Sequence, residues 1–463
     1  MTRKSPLLFW AITSALAGFL FGFDTVVISG AEKQIQDLWS LSGAMHGWAL
    51  SAALWGTVLG ALLGGFPTAR FGRKRTLISI GILYLLSALG SALAPNVVIF
   101  MLSRLIGGLG VGVSTIAAPL FISEIAPAGK RGRLAGLFQF NIVFGILVAY
   151  FSNFLIGGWV EEAIAWRWML GVEALPALVY AIFSFTLPES PRWLITHAGK
   201  KEEGTAVFRL ANPEMSEEEI SVLVQEVEES ASDKVKTSGF WTRRLRLPIM
   251  LAFLVAFFNQ LSGINVILYF APRLLGLAGI ENPLGASISL GVTNLIFTFV
   301  GLWLIDRLGR RTLLYIGSVG YIVSLGVCAV TFLLVPEFGT VSGEAAMSAA
   351  REPSGPLSLV VLISMVVFIA AHAVGQGTVI WVLISEIFPN DHRAAGQSLG
   401  SFTHWMFAAL LTLVFPIVIR NVDAGYIFAF FAFMMILQLI WVKVMVPETR
   451  GKSLEEISRL LGA

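Results

Sequence analysis

An all-α membrane protein of twelve transmembrane helices is the fold class this sequence predicts, and three observations predict it. The 463 residues are 56% hydrophobic and only 13% charged, with a mean hydropathy of +0.79. Apolar stretches long enough to cross a hydrocarbon core about 30 Å thick, which takes roughly 20 residues of helix, recur along the chain. Basic residues collect in every second connection between them. Soluble globular domains do not have this composition. The net charge of +3 is small and its Lys and Arg are spread over short loops, which argues against a nucleic-acid partner. The single cysteine, Cys328, lies in an apolar segment and excludes an internal disulfide and a Cys-based metal site.

The expected spans are 8–30, 45–66, 76–93, 98–122, 134–156, 168–187, 248–274, 284–305, 312–335, 357–386, 396–419 and 424–446. The first follows a basic "MTRK", as a signal peptide would, but it is long, carries Asp24 and lacks a small-residue cleavage site, so it is read as a retained span. "ARFGRKR", "GKRGR", "WTRRLRL", "DRLGRR" and "ETRGK" fall on one side of the membrane with the N-terminus, whereas loops 31–44 and 336–356 on the other side are poor in Lys and Arg. The positive-inside rule makes the basic side cytoplasmic. Both termini are therefore expected inside, in a plasma (inner) membrane.

One long hydrophilic interruption, about 199–247, divides the spans six and six. This gives expected boundaries of 1–195 for a first six-helix half, 196–247 for an intracellular helical linker, 248–447 for a second half and 448–463 for a C-terminal intracellular helix. Within the linker, Ser216 and Glu219 have capping-box spacing, and Ile220, Leu223, Val224 and Val227 then share one helical face. "KSLEEISRLL" repeats the device with Ser453 and Glu456 as the box and Leu454, Ile457 and Leu461 as the face.

The two halves also answer each other in sequence. Gly72 in "RFGRKRT" matches Gly309 in "RLGRRTL"; "SEIAPAGKR" matches "SEIFPNDHR", with Glu124 and Arg131 at the same spacing as Glu386 and Arg393; "LPESPR" matches "VPETR". Three matched pairs in one order imply a duplicated unit, the signature of a transporter whose halves rock about a site near the membrane midplane. Glu124, Arg131, Glu386 and Arg393, together with Arg70 and Arg307 of the basic turns and Glu189 and Glu448 of the "PES" and "PET" motifs, are expected to form ion pairs at helix ends that make and break as a cytoplasmic gate. The bland alternative is that these arginines only set topology, which is the preferred reading for Lys74 and Arg75.

"RFGRKR", "SEIAPAGKRGRL", "PESPRWL", "NQLSGINVILYFAP", "DRLGRR", "WVLISEIFPNDHR" and "PETRGKSLEE" together resemble the sugar porter family of the major facilitator superfamily, in order and over nearly the whole chain. The resemblance implies the major facilitator fold of two six-helix halves with an intracellular helical bundle, and alternating access for a monosaccharide. One departure is Ala69, at a position that is usually Asp or Asn in the family, which is expected to loosen a helix-end contact.

A pyranose presents hydroxyls that both donate and accept, so amides and an aromatic face suit it. Asn259, Gln260 and Asn265 around Gly263, with Gln139, Asn294 and Trp381, supply these inside apolar spans, where polar groups are costly. All six fall where the family binds sugar; taken singly, an intramembrane amide often only bonds a neighbouring helix. Gly263 would let its helix break and offer backbone to a ligand. Asn259 replaces a Gln common in relatives. Ile146 matches the animal glucose carriers rather than the xylose symporter, mild evidence for a hexose. His404 stands where relatives have Gln or Asn and is read first as a sugar ligand, ahead of a helix-bridging group or a second protonatable group; for His372 a structural role is at least as good a reading.

In the family, the position of Asp24 separates bacterial proton symporters, which have Asp, from facilitative carriers, which have Asn. The same comparison gives Arg104 as its partner and Glu173 as a third buried ionisable group. The resulting expectation is proton-coupled symport of a monosaccharide, a hexose such as D-glucose, in which protonation of Asp24 releases Arg104. The alternatives are a static Asp24–Arg104 pair in a facilitative uniporter, or a symporter of xylose, fucose, galactose or myo-inositol; a transporter-like nutrient sensor is the rival of another class. No nucleophile–base motif, Walker A loop or metal-ligand cluster is present in the sequence. An enzyme, an ATP-driven pump, a cofactor and a metal are therefore not expected; the expected partners are the sugar, a proton and the lipid bilayer, with the chain a monomer.

Overall fold

The computed structural model describes residues 5–232, 239–335, 355–389, 392–452 and 454–462. In these residues the apolar periodicity becomes helix throughout. The first six spans are α1 (Leu7–Leu38), α2 (Gly43–Leu63) with its short continuation α3 (Gly65–Phe71), α4 (Arg73–Ala92), α5 (Val97–Ile125), α6 (Ala128–Trp159), and α7 (Glu162–Gly171) running into α8 (Ala174–Thr186). α9 (Pro191–Thr196) follows the sixth span, and α10 (Lys201–Ala211) and α11 (Glu217–Ser232) lie in the hydrophilic interruption. The seventh span is α12 (Arg246–Leu261) broken from α13 (Ile264–Tyr269), after which α14 (Ala271–Leu277) turns off. The remaining spans are α15 (Pro283–Leu308), α16 (Arg310–Leu334), α17 (Pro356–Val374) with α18 (Gln376–Ile387), α19 (Arg393–Asn421) and α20 (Ala424–Met445), and the chain finishes on α21 (Leu454–Leu461).

Twelve of these helices or helix pairs are long and apolar enough to cross a membrane, one for each expected span. The observed helices overrun the apolar stretches, because a helix ends where its backbone is capped and not where hydropathy falls. The largest overrun is α1, which continues to Leu38 through a stretch expected to be loop. Large apolar side chains such as Phe66, Leu86, Phe185, Ile296, Val323 and Phe433 are exposed, the disposition required of a surface that meets lipid.

The chain divides into two compact units. The first comprises Met1–Thr25, Trp55–Ile146 and Leu170–Lys236; the second comprises Val26–Leu54, Leu147–Met169 and Thr237–Ala463. In the first, α4 packs against α5 and α8; in the second, α16 packs against α17 and α20. Span three on spans four and six thus repeats as span nine on spans ten and twelve, the packing expected of a duplicated unit. The first unit's core gathers Leu77, Ile80, Tyr84, Phe121, Phe138 and Tyr180.

The amphipathic reading of the linker holds in detail. Glu219 Oε2 accepts from the Ser216 N–H at 2.7 Å and Ser216 Oγ from the Glu219 N–H at 3.2 Å, the reciprocal bonds of a capping box. Ile220, Val224 and Val227 then bury against Ile195 and Phe208, with Leu223 beside them. At the C-terminus Ile457 and Leu461 are buried; Ser453, the expected cap there, lies outside the described residues.

The break between α12 and α13 falls on Gly263, whose φ is +84°. An L-residue rarely adopts that conformation, and a Cβ there would stand 2.6 Å from the Phe431 ring. Gly263→Val is therefore expected to cost at least about 1–3 kcal/mol from backbone strain alone, read as a lowered thermal-unfolding midpoint of the purified protein, whereas Gly239→Val, where a Cβ meets open space, leaves it unchanged.

Candidate functional site

Burial of charge locates the first group of residues. Asp24 on α1, Arg104 on α5 and Glu173 at the junction of α7 and α8 are each no more than 2% exposed, and all belong to the first unit. Arg104 Nη1 donates to Asp24 Oδ1, and Arg104 Nη2 donates to the Asp24 backbone carbonyl at 3.1 Å. One guanidinium thus grips both the side chain and the backbone of α1. Glu173 lies within electrostatic reach of Asp24 and Arg104. Tyr84, fully buried, completes the surroundings of the two acids; nothing in the sequence distinguished it from an ordinary core aromatic.

The second group lies in the second unit, except for Gln139, which is half-buried on α6 in the first unit. Asn259 and Gln260 end α12 almost fully buried. Gln260 Nε2 donates to Asn259 Oδ1 at 3.3 Å and is 3.1 Å from His404 Nε2 on α19, while no described group pairs with Gln260 Oε1. His404 also faces Trp381, with ring centroids 5.3 Å apart, and Trp405, at 4.7 Å. Asn265, on α13 beyond the break, is buried with its Nδ2 unpaired among the described residues. Asn294 is buried on α15. Ile146 is buried on α6, in the first unit. His372, by contrast, is held by the Tyr321 hydroxyl at 2.6 Å, the structural arrangement weighed against a ligand role.

Buried amide atoms without partners are costly, and they are chemically suited to hydroxyl groups, which both donate and accept. Gln376 belongs with them: it opens α18 fully buried, and neither its Oε1 nor its Nε2 has a described partner. It lies inside the expected span 357–386, and the helix break before it at Gly375 is what places it at the start of α18.

The third group is at the basic turns, and here the pairing differs from expectation. Glu124 binds Arg73, with Arg73 Nε to Glu124 Oε2 at 2.8 Å and Arg73 Nη2 to Glu124 Oε1 at 2.7 Å. Glu386 binds Arg310 in the same way, at 3.1 and 2.8 Å. The partners are thus the first residues after Gly72 and Gly309, which open α4 and α16. Arg70 and Arg307 are exposed and join no carboxylate among the described residues; Arg307 lies over the Trp303 ring at 3.9 Å. Arg393, which opens α19 half-buried, is not the residue that holds Glu386 in the fork, and the side chain of Arg131 lies outside the described residues.

Glu189 and Glu448 meet the expectation of helix-end contacts by another chemistry. Glu189 Oε1 accepts from the backbone N–H groups of Arg73 and Lys74 at 2.7 and 3.1 Å, and Glu448 accepts from those of Arg310 and Arg311 at 3.0 and 3.1 Å. Each acid supplies the anion that a helix N-terminus favours. Gly72 and Gly309, with φ near +90°, leave these carboxylates the space a Cβ would occupy. The two turns differ where the sequence said they would: Asp306 adds a third bond to Arg310 at 3.1 Å, whereas Ala69 offers Trp193 only its backbone carbonyl, at 2.6 Å.

Comparison with known proteins follows from this geometry. The family model described as "Sugar (and other) transporter" matches residues 10–461. The chain is 33% identical to the arabinose-proton symporter of Bacillus subtilis, over 99% of this chain and 97% of that protein. It is 32% identical to a glucose transport protein of Synechocystis, over 96% and 95%, and 31% identical to the D-xylose-proton symporter of Escherichia coli, over 97% and 94%. The inward-open structure of the xylose transporter XylE from E. coli superposes with a TM-score of 0.83 at 30% identity, covering 98% of this chain and 99% of that one.

The Arg73–Glu124 fork has both side chains about nine-tenths buried, so removing one partner strands a charge. Arg73→Met is expected to destabilise the protein by roughly 3–5 kcal/mol. The double variant Arg73→Met with Glu124→Leu is expected to lose less than either single one, measured as a double-mutant cycle of unfolding free energies.

Proposed function

We propose, from the premise that this chain belongs to the family of sugar transporters in the major facilitator superfamily, that it is a secondary-active symporter carrying a monosaccharide together with a proton. As a family member it is a multi-pass membrane transporter and not an enzyme. The observation that carries the proton coupling is the Asp24–Arg104 pair with Glu173 beside it. Two acids face one permanent cation in a buried site, and such a group is electrically balanced when it holds one proton. Protonation of Asp24 weakens its hold on Arg104 and loosens α1 against α5; loss of the proton restores the pair. Intramembrane acids paired in this way mark proton relays, and relatives named for proton symport of arabinose and xylose support the reading.

Asn259, Gln260, Asn265, Asn294, Trp381 and His404 are assigned to the sugar, Trp381 as the surface for the C–H face of the ring and the amides for its hydroxyls. Gln139 receives the same role on its family position. The unpaired Gln260 Oε1 and Asn265 Nδ2 are the atoms a sugar hydroxyl would satisfy. A hexose such as D-glucose is the first substrate to test, because the apolar Ile146 leaves a hydroxymethyl group unopposed; xylose is the main competitor. The chain is taken to act as a monomer in the plasma membrane with both termini cytoplasmic. Two six-helix halves alternate access, and the Arg73–Glu124–Glu189 and Arg310–Glu386–Glu448 clusters serve as the cytoplasmic gate.

In proteoliposomes an inward proton gradient is expected to drive D-glucose accumulation above equilibrium, and Asp24→Asn to abolish accumulation while leaving exchange. Equilibration that ignores pH in the wild type would instead identify a uniporter. Separately, His404→Ala is expected to weaken sugar binding about tenfold, the loss of roughly 1.4 kcal/mol, titrated by intrinsic tryptophan fluorescence over a panel of hexoses and pentoses.

A further inference from the structure

A fourth cluster of charge occupies the ends of the spans away from the basic turns. Glu32, on α1, is 2% exposed. Its carboxylate is gripped by Arg273 of α14 in a two-bond fork, Nε to Oε1 and Nη2 to Oε2, both at 2.7 Å. His46 Nε2, at the start of α2, is 2.8 Å from Glu32 Oε2, and His46 is fully buried. Gln36, one helical turn beyond Glu32, accepts from Arg273 Nη2 at 2.6 Å. The carboxylate therefore has both oxygens engaged, and the guanidinium spans two residues on one face of α1.

These residues lie far apart in the sequence, Glu32 and Arg273 being 241 residues apart. Glu32, Gln36 and His46 lie in and around the first two spans, whereas Arg273 follows the seventh. They nonetheless belong to one compact unit, which takes in Val26–Leu54 and Leu147–Met169 together with everything after Thr237. Other bonds stitch the same segments: the Tyr150 hydroxyl donates to the Leu268 carbonyl at 2.9 Å, and Arg420 Nη2 to the Leu41 carbonyl at 3.3 Å. Those are bonds to neutral carbonyls and are readily exchanged for water. The Glu32–Arg273 fork is an ion pair with both partners largely out of solvent, and opening it at this end exposes two charges at once.

The division of α1 gives the cluster a place in the cycle. The first unit ends within this helix at Thr25, one residue after Asp24, and the second begins at Val26. One continuous helix thus carries an acid held by Arg104 in one unit and, about 12 Å further along at 1.5 Å per residue, an acid held by Arg273 in the other. We propose that the Glu32–Arg273 pair, seated on His46 and Gln36, is a latch that holds the first two spans to α14 at the ends away from the basic turns. Its rupture is the step that admits sugar from that side. The proposal rests on the transport reading above for its place in a cycle, but the latch itself is a statement about one end of the molecule.

Hydrogen–deuterium exchange of the purified full-length protein tests it without sugar or proton gradient, so that its failure and a failure of the symport assay are separate results. Glu32→Gln and Arg273→Gln are each expected to speed amide exchange in 28–38 and 271–277 by roughly tenfold or more, as expected for local opening once a buried pair loses one partner, while 77–84 in the core of α4 keeps its wild-type rate. Glu32→Arg combined with Arg273→Glu is expected to return both far-end segments toward the wild-type rate. Unchanged exchange in the single variants overturns the latch. So does a rise in 77–84 of the same size as at the far ends, or a charge-reversed double variant that exchanges no more slowly than the single ones. His46→Phe, which removes only the third hydrogen bond, is expected to give an intermediate rate confined to the same segments, and a wild-type rate there removes His46 from the latch.

Discussion

A charge inside a membrane protein has no water to fall back on, and the arrangement of this molecule follows from how that demand is met. Isolated ions cost several kcal/mol or more in such surroundings, so a buried carboxylate is best met by a cation from another helix; Glu173, near the Asp24–Arg104 pair, is the exception without a cation of its own among the described residues. Asp24 takes Arg104, Glu124 takes Arg73, Glu386 takes Arg310 and Glu32 takes Arg273. The apolar spans supply area for packing but little preference for one neighbour over another, because lipid is as apolar as leucine. The ion pairs, each with directional hydrogen bonds, specify which helix stands beside which. The same pairs are switchable, since adding a proton or a competing partner changes their balance at once.

Duplication doubles this logic at the basic turns. In each unit a glycine of positive φ ends one helix, an arginine opens the next, a glutamate from a neighbouring span receives that arginine in a fork, and a second glutamate caps the new helix N-terminus. The side chains named at each site come from a single unit. Its two copies differ in their polar partners. Arg310 holds Asp306 as well as Glu386, and Thr449 donates a further bond to Glu386 at 2.6 Å, whereas Ala69 leaves Arg73 with Glu124 and the Thr68 carbonyl.

Much of this was legible in the sequence, and the parts that were not share a cause. Hydropathy and length gave the spans; capping spacing gave α11; Gly263 between polar residues gave the break in the seventh span; and the family position of Asp24 led to Arg104. Each is a local property or a pattern of spacing. Partner choice is not local. Glu124 and Glu386 were expected to pair with arginines that included Arg70 and Arg307 of the basic turns, and the forks are made by other arginines of those same turns, Arg73 and Arg310. The signal was present: Arg73 and Arg310 sit at matching positions of the repeat, as Glu124 and Glu386 do. Glu32 was missed for a different reason. Hydropathy falls after residue 30, and the following polar residues read as loop, but α1 continues and carries Glu32 and Gln36 into a buried setting.

That continuation makes α1 more than one span among twelve. Eight residues separate Asp24 from Glu32 in the numbering of one unbroken helix, and at 3.6 residues per turn the two side chains point roughly 80° apart. They cannot both face the same neighbour, and they do not: Asp24 meets α5, and Glu32 meets α14 and the start of α2. A rigid helix that rotates or slides to relax one pair must disturb the other. On the proposed mechanism, release of Arg104 by a proton at Asp24 would bear on the Glu32–Arg273 latch through the stiffness of α1 alone. Coupling of this kind requires only that α1 stay continuous between residues 24 and 32, and it runs in both directions: a helix held at Glu32 resists the loss of the Asp24 pair as much as a helix held at Asp24 resists the opening of the latch.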